Sequence, residues 1–175
     1  MELPTLTGPR VTLRPLAEGD IPTLLEIAAA PRVKRWWPTV DEGDLREQLG
    51  PAAETPALTI DLEGVVVGLI QCWEEADPEF RHAGMDLFVA EGWQGQGLGP
   101  EALRLLAGWL IRERGHHRLT IDPAAANDAA IRAYEKVGFK RVGVLREYER
   151  DPRTGAWRDG LLMDLLASDL VADDS

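Results

Sequence analysis

Between Val89 and Pro100 the chain reads Val89-Ala-Glu-Gly-Trp-Gln94-Gly95-Gln96-Gly97-Leu98-Gly99-Pro100, and an apolar run from Ala102 to Ile111 follows. An apolar strand, Met85 to Val89, enters this loop and a helix leaves it. Backbone N–H groups unobstructed by side chains therefore converge at the positive end of a helix dipole, which is a place for an anion such as phosphate. Spacing separates the nucleotide loops that compete for such a site. A dinucleotide fingerprint, Gly-x-Gly-x-x-Gly, started at Gly95 would need its last glycine where Pro100 stands. A Walker A loop needs Gly-Lys-Ser/Thr, which is absent. What remains is Gln94-x-x-Gly97-x-Gly99, or, in the plainer reading, a glycine-rich turn that caps a packed helix.

A second segment follows a short strand at Leu119 to Ile121 and runs Asn127-Asp-Ala-Ala-Ile131-Arg-Ala-Tyr134-Glu-Lys-Val137-Gly138-Phe139. Asn127 suits a helix N-cap, Ile131, Tyr134 and Val137 share one helix face, and Gly138 suits the stop. By itself this is a capped amphipathic helix. The two segments together, in this order and with Asn127 thirty positions after Gly97, resemble the coenzyme-binding motifs of the GNAT superfamily of N-acetyltransferases. Those motifs are Arg/Gln-x-x-Gly-x-Gly/Ala and Asn-x-x-Ala-Ile-x-x-Tyr-x-x-x-Gly-Phe. The resemblance implies an α/β fold in which a mixed central β-sheet, flanked by helices, opens in a V-shaped splay between two parallel strands. It implies acetyl-CoA as cosubstrate. Gln94, Gly95, Gln96, Gly97, Leu98 and Gly99 would hold the pyrophosphate, Phe88 and Val89 would pair by backbone with the pantetheine arm, and Asn127 and Tyr134 would complete the coenzyme site.

A narrower resemblance spans most of the chain. Trp36-Trp37, Trp73-Glu74-Glu75-Ala-Asp77-Pro78, Gly84-Met-Asp86, Asp122-Pro123 and the run from Ala130 to Phe139 are similar to aminoglycoside 6′-N-acetyltransferases. As in those enzymes, an aspartate, Asp86, stands eight residues ahead of the loop glutamine, Gln94. Ile121 replaces their threonine. The loop before Trp73 is shorter, with one tryptophan for two, so the contacts to the distal antibiotic rings differ. The resemblance implies transfer of an acetyl group to the 6′ amine in a ternary complex, with antibiotic resistance as the outcome. A primary ammonium must lose a proton before it attacks a thioester, and a nearby carboxylate can accept it. Asp86 is the candidate base; strand alternation puts it on one face with Phe88, opposite Leu87 and Val89. Tyr134 is the candidate acid for the departing thiolate, and backbone amides at the end of the Met85 to Val89 strand would stabilise the oxyanion. Trp36 and Trp37 would offer a wall to a sugar ring, and Glu74, Glu75, Asp77, Asp86, Asp122 and Asp159 would meet ammonium groups.

Plainer readings stand beside these. Asp86 is also an ordinary strand acid, Tyr134 a core aromatic, Asp122 a turn former, and Glu74, Glu75 and Asp77 a solvated acidic loop; at least one of Trp36 and Trp37 is expected to bury its ring. Two other functions remain open. Val11-Thr-Leu-Arg-Pro-Leu16, Arg146-Glu-Tyr-Glu-Arg150 and Trp157 to Met163 also resemble acetyltransferases of ribosomal-protein α-amines, which need a groove open to an extended chain. A non-catalytic acetyl-CoA binding module would retain coenzyme binding while Asp86 and Tyr134 were dispensable.

Composition bounds the partners. Thirty acidic against nineteen basic residues leave a net charge of −11, which disfavours nucleic acid and suits a polycationic small molecule. The acidic excess also serves solubility. A length of 175 residues suits a single domain over 1–175, as monomer or homodimer. No basic leader or long apolar run is present, so no membrane association is expected. The single Cys72 cannot form an intramolecular disulfide, reads as a small core residue, and leaves a cytoplasmic location as the expectation. His116 and His117, after Gly115, read as a helix-end dipole contact, and no third ligand stands at metal-site spacing, so no metal is expected.

The elements that must position these groups follow from periodicity. Strands are predicted at Val11 to Pro15, Ala57 to Leu62, Val65 to Gln71, Met85 to Val89, Leu119 to Ile121, Lys140 to Val144 and Gly160 to Leu166. Helices are predicted after Asp20 as N-cap, closed by Pro31; near Asp41 to Gln48; after the glycine loop; and after Asn127. Turn-rich Arg150 to Gly155 separates the last two strands.

Overall fold

The computed structural model describes residues 1–37, 39–151 and 153–171. Pro38, and Pro152 of the turn-rich Arg150 to Gly155 stretch, lie outside the described residues. Eight strands form one sheet: β1 (Leu6–Thr7), β2 (Thr12–Pro15), β3 (Ala57–Leu62), β4 (Val65–Glu75), β5 (His82–Val89), β6 (Arg118–Ile121), β7 (Lys140–Arg150) and β8 (Trp157–Leu166). Their order across the sheet is β1-β2-β3-β4-β5-β6-β8-β7. Neighbours are antiparallel except β5 and β6, which are parallel.

That parallel pair decides the architecture. β5 and β6 pair only at Ala83 with Leu119 and Gly84 with Thr120. Met85 to Val89 stay paired with β4 on one side and have left β6 on the other. The sheet is therefore split from Met85 onward, and the splay expected from the resemblance is present.

Helices cover both faces. α1 (Ile21–Ala29), α2 (Pro31–Lys34) and α3 (Glu42–Glu47) lie on one face, where Leu24, Val33, Trp37 and Leu45 pack on Leu69 and Phe88. α4 (Leu98–Arg112) and α5 (Asp128–Val137) lie on the other, where Leu103, Leu106, Leu110, Ile131 and Val137 pack on Met85, Leu119 and Met163. The period-two pattern of β5 sorts its side chains between them: Met85 and Leu87 join the α4 core, Phe88 joins the α1 core, and Asp86 faces the same way as Phe88.

One detail of the first helix differs from the sequence reading. Asp20 precedes α1 but makes no cap bond. Its carboxylate instead accepts from Arg14 at 2.7 and 2.8 Å and from Thr59 at 2.9 Å, because β2 brings a guanidinium alongside and a charge-assisted bond outweighs a cap. α1 ends at Ala29, with Ala30 extended ahead of Pro31 as expected, and Pro31 also opens the next helix at the first position of α2, where its missing N–H costs nothing. The strands at 65–75, 82–89, 140–150 and 157–166 run past their predicted ends, since cross-strand pairing continues through polar residues that carry no apolar alternation.

Candidate active site

The splay continues into a cleft of about 670 Å³. One end is built from the glycine loop. Gly97 stands before α4 with φ +83°, a left-handed conformation that a side chain would strain, and a Cβ there would lie 3.1 Å from Arg10 Nη2. Gln94 Nε2 donates to the Val89 carbonyl at 2.9 Å, so this side chain braces the loop against the end of β5 and leaves its backbone to an anion. Behind the loop, Arg10 Nη1 donates to the Gln96 carbonyl at 2.7 Å, and Arg10 Nε to Glu101 Oε2 at 2.9 Å. The buried Glu101 also accepts from the backbone N–H groups of Arg10 and Val11 at 2.7 and 2.9 Å. The N-terminal segment thus clamps the first turn of α4.

Gln94, Gly95, Gly97, Leu98, Gly99 and Asn127 line this cleft; Gln96 does not, and its side chain donates to the Gly92 carbonyl at 3.0 Å. Asn127 also caps α5 by accepting from Ala130 N at 3.2 Å, a contact worth about 1 kcal/mol. Arg32, Arg132 and Lys136 line the cleft as well. They supply, beyond the helix dipole, the local positive charge that an anion needs against a net of −11.

The other end is acidic. Asp86 sits at the floor where β5 has left β6, with Asp122, Tyr148 and Glu149 on the far wall and Arg35, Trp36 and Trp37 on the near one. Burial, reinforced by the charges of Asp122 and Glu149 and only partly offset by the Leu87 N–H, pushes the Asp86 carboxyl up from 3.8 to about 8. Leu87 N–H bonds Asp86 Oδ1 at 2.9 Å and hence faces the splay; by strand alternation the Val89 N–H faces the same way. Tyr134 lines the same cleft from α5, its ring packed 6.3 Å from that of Phe139. Burial first, then Asp86 and Asp122, raise its hydroxyl well above the ordinary phenol value, which keeps it a proton donor.

Asp122 is placed by the segment after β6. Leu161 N donates to the Pro123 carbonyl at 2.8 Å and Ala125 N to the Asp159 carbonyl at 2.9 Å, which holds that segment beside β8 and opposite Tyr148, whose hydroxyl donates to Asp122 Oδ2. Trp37 is the buried member of the tryptophan pair, edge-on to Phe88 with centroids 4.9 Å apart. Trp36 is half-exposed, with the Arg35 guanidinium 4.6 Å from its ring centre.

Four acids expected to contact the acceptor are held elsewhere. Glu74 lies near the end of β4, past the Asp86 register, and on the α4 face. Its carboxylate accepts from Arg114 at 2.9 and 3.1 Å and from His116 Nε2 at 2.7 Å. Arg114 above all, with His116, holds it down at about 2. His116 is accordingly this carboxylate's partner and not a helix-end dipole contact. Glu75 accepts from Asp77 N, and Asp77 from Glu79 N, both at 2.9 Å, in the exposed turn before β5. Asp159 accepts from Glu147 N at 2.8 Å across the β7–β8 hairpin, where Glu147 has φ +48°. These turns need their acids because each has a backbone N–H without a ladder partner. Cys72 is buried and its thiol is pushed up to about 12, first by burial, consistent with a core residue. Among the described residues no group of three or more His, Cys, Asp or Glu gathers at metal-ligand distance.

Tyr148, Glu149 and Arg158 lie in the segments that resemble ribosomal-protein acetyltransferases, but nothing in the sequence assigned them to this site. The register of β7 against β8 breaks between Leu145 and Glu149, and Tyr148 and Glu149, at that break, line the cleft.

Residues 10–140 match the acetyltransferase (GNAT) domain family. This chain belongs to the GNAT acetyltransferases. It is 32% identical over 164 residues to aminoglycoside N(6′)-acetyltransferase type 1 of Klebsiella pneumoniae, covering 81% of this chain and 79% of that protein. Among solved structures, AAC(6′)-Ib in complex with paromomycin and acetyl-CoA superposes with a TM-score of 0.75 at 26% identity, over 95% of this chain and 98% of that one. The ribosomal-protein-S5-alanine acetyltransferase of Vibrio fischeri superposes with a TM-score of 0.80 over 97% of this chain and 100% of that one, but at 16% identity, a likeness of fold alone. Among the described residues no helix of this GNAT acetyltransferase is long and apolar enough to cross a membrane.

Proposed function

We propose that this acetyltransferase moves the acetyl group of acetyl-CoA onto the 6′ amine of an aminoglycoside by direct transfer, with the whole chain acting as one domain and resistance as its consequence. One observation carries the reading: a carboxyl raised to about 8 lies at the floor of an acidic pocket that opens, in the same cleft, onto a glycine loop built for an anion. The relatives named for aminoglycoside acetylation support it.

The backbone of Gln94 to Gly99 and the start of α4 hold the pyrophosphate, and Asn127 faces the pantetheine arm. Asp86 and Asp122 draw an ammonium group into the pocket; its arrival favours the carboxylate form of Asp86. Asp86 takes one proton, and the freed nitrogen attacks the thioester carbon. A C–N bond forms and the carbonyl oxygen, now anionic, is stabilised by the Val89 N–H. The C–S bond then breaks. Tyr134 gives the thiolate a proton and regains one from the nitrogen, leaving an amide and free coenzyme A.

The test is thiol release from acetyl-CoA with kanamycin- and gentamicin-type aminoglycosides, a ribosomal N-terminal peptide and simple polyamines. Preferred turnover of aminoglycosides is the expected result, with the 6′ position identified by NMR of the product. Turnover of the peptide alone would replace this reading with protein α-amine acetylation. Coenzyme binding without turnover of any amine would make the chain a binding module.

A further inference from the structure

Arg158, on β8, joins residues that line the cleft on its two sides, Glu149 and the Arg35–Trp36 segment. Its Nε donates to Glu149 Oε1 at 3.0 Å, its Nη1 to the Arg35 carbonyl at 2.9 Å and its Nη2 to the Trp36 carbonyl at 3.2 Å. The guanidinium also lies 5.5 Å from the Trp36 ring centre, and the side chain is only 16% exposed. The bonds to the Arg35 and Trp36 carbonyls join the segment carrying Trp36 and Trp37 to the β7–β8 hairpin carrying Tyr148 and Glu149, and the bond to Glu149 anchors the guanidinium within that hairpin. Those two stretches are the facing walls of the acceptor end. The near wall is tied down at its other side too, where Arg32 N donates to the Glu91 carboxylate beside the glycine loop.

We propose that Arg158 is a positioning residue that bridges the two walls, closes the acceptor end of the cleft and so restricts this enzyme to compact amines. This inference rests on the proposed aminoglycoside reading. An extended polypeptide needs the walls to part so that it can leave the site, and the guanidinium ties them together. A compact amine needs no exit and gains from a fixed pocket, since ordering the walls beforehand lowers the cost of binding. The bridge needs arginine. One planar fork serves a carboxylate on one side and two carbonyls on the other, which a single ammonium on a flexible stem cannot do. Charge fits the same role: Glu149 at 3.0 Å and Asp151 at 3.9 Å already match Arg158, so Asp86 and Asp122 are left for the cations of the acceptor.

The experiment compares wild type with Arg158→Ala and Arg158→Lys. Steady-state kinetics are measured with acetyl-CoA, kanamycin and an extended peptide bearing a free α-amine, and amide hydrogen exchange is followed over residues 30–37. In both variants the kanamycin KM should rise about tenfold, as expected for the loss of one or two charge-assisted hydrogen bonds. The acetyl-CoA KM should hold, the peptide-to-kanamycin ratio of kcat/KM should move toward the peptide, and exchange over 30–37 should accelerate. Unchanged exchange would overturn the bridge. Faster exchange with an unchanged kanamycin KM and an unchanged peptide ratio would overturn its role in selecting acceptors. Wild type that acetylates none of these amines would instead refute the proposed function and the selection built on it, while exchange would still decide for or against the bridge.

Discussion

Replacing Asp86 by Asn probes the proposed base in two independent ways. The folded protein raises this carboxyl from 3.8 to about 8, so it binds the proton more tightly than the unfolded chain does. The neutral acid therefore stabilises the fold at low pH, and that stability is lost as pH climbs from the unfolded value toward the folded one. For a group sealed from water, the loss between pH 5 and pH 9 would be ~4 kcal/mol. Asp86 floors an open cleft, and screening by water brings the expectation to ~2 kcal/mol. Asparagine does not titrate. The melting temperature of Asp86→Asn, relative to wild type, should thus gain roughly 4–8 °C between pH 5 and pH 9, at ~2–4 °C per kcal/mol for a chain of this size. In activity, loss of a general base typically costs ~10²–10⁴ in rate. Thiol release by Asp86→Asn should fall ~100-fold with coenzyme affinity intact, and the wild-type rise of kcat/KM as pH increases through about 8 should vanish. Turnover above a tenth of wild type, with that rising limb retained, would remove Asp86 from proton transfer altogether.

Tyr134→Phe should slow the step in which thiolate leaves, by about tenfold or more, without altering coenzyme affinity; equal rates across the pH range would leave the tyrosine as packing beside Phe139. Gly97→Ala places a Cβ at φ +83° and 3.1 Å from Arg10 Nη2. The ~1–2 kcal/mol of left-handed strain should weaken acetyl-CoA binding about tenfold in calorimetry, and undiminished affinity would show that the loop backbone does not grip the coenzyme. Glu74→Gln should lower the melting temperature at neutral pH and leave the acceptor KM alone. Because the Glu74 carboxyl is held at about 2, its contribution is full above the ordinary 4.5 and is lost as pH falls toward about 2, so the gap between variant and wild type should close in acid. A raised acceptor KM without loss of stability would return Glu74 to the acceptor site.

The coenzyme half of the cleft was readable in the chain because its geometry is local. A strand, a loop with glycine at 95, 97 and 99, and the helix that follows are contiguous. Their job is done by backbone groups whose direction is dictated by φ, ψ and the helix axis. Asn127, Ile131, Tyr134 and Gly138 likewise announce α5 through caps and period alone. The acceptor half was readable only in part. Asp86 was singled out by the resemblance, through its eight-residue interval to Gln94, and alternation along one strand assigned its face.

Glu74, Glu75, Asp77 and Asp159 carry the same charge as Asp86 and Asp122, and composition cannot rank them. Which carboxylate remains for a substrate depends on which ones Arg114, His116 or an unpaired turn N–H has already taken. Those partners come from distant segments. The bridge from Arg158 to the Arg35 and Trp36 carbonyls spans more than 120 positions, and the register break beside Glu149 belongs to the pairing of β7 with β8. What the sequence by itself determined is therefore local: the glycine loop between a strand and a helix and the capped α5 follow from short-range backbone rules, and their motifs carry the resemblance to a family whose splayed α/β sheet the structure shows. Only the tertiary structure decided which acids face the cleft, how far Asp86 is lifted by burial and its neighbours, and how the acceptor end is closed. Those outcomes depend on distances between side chains that no sequence spacing encodes.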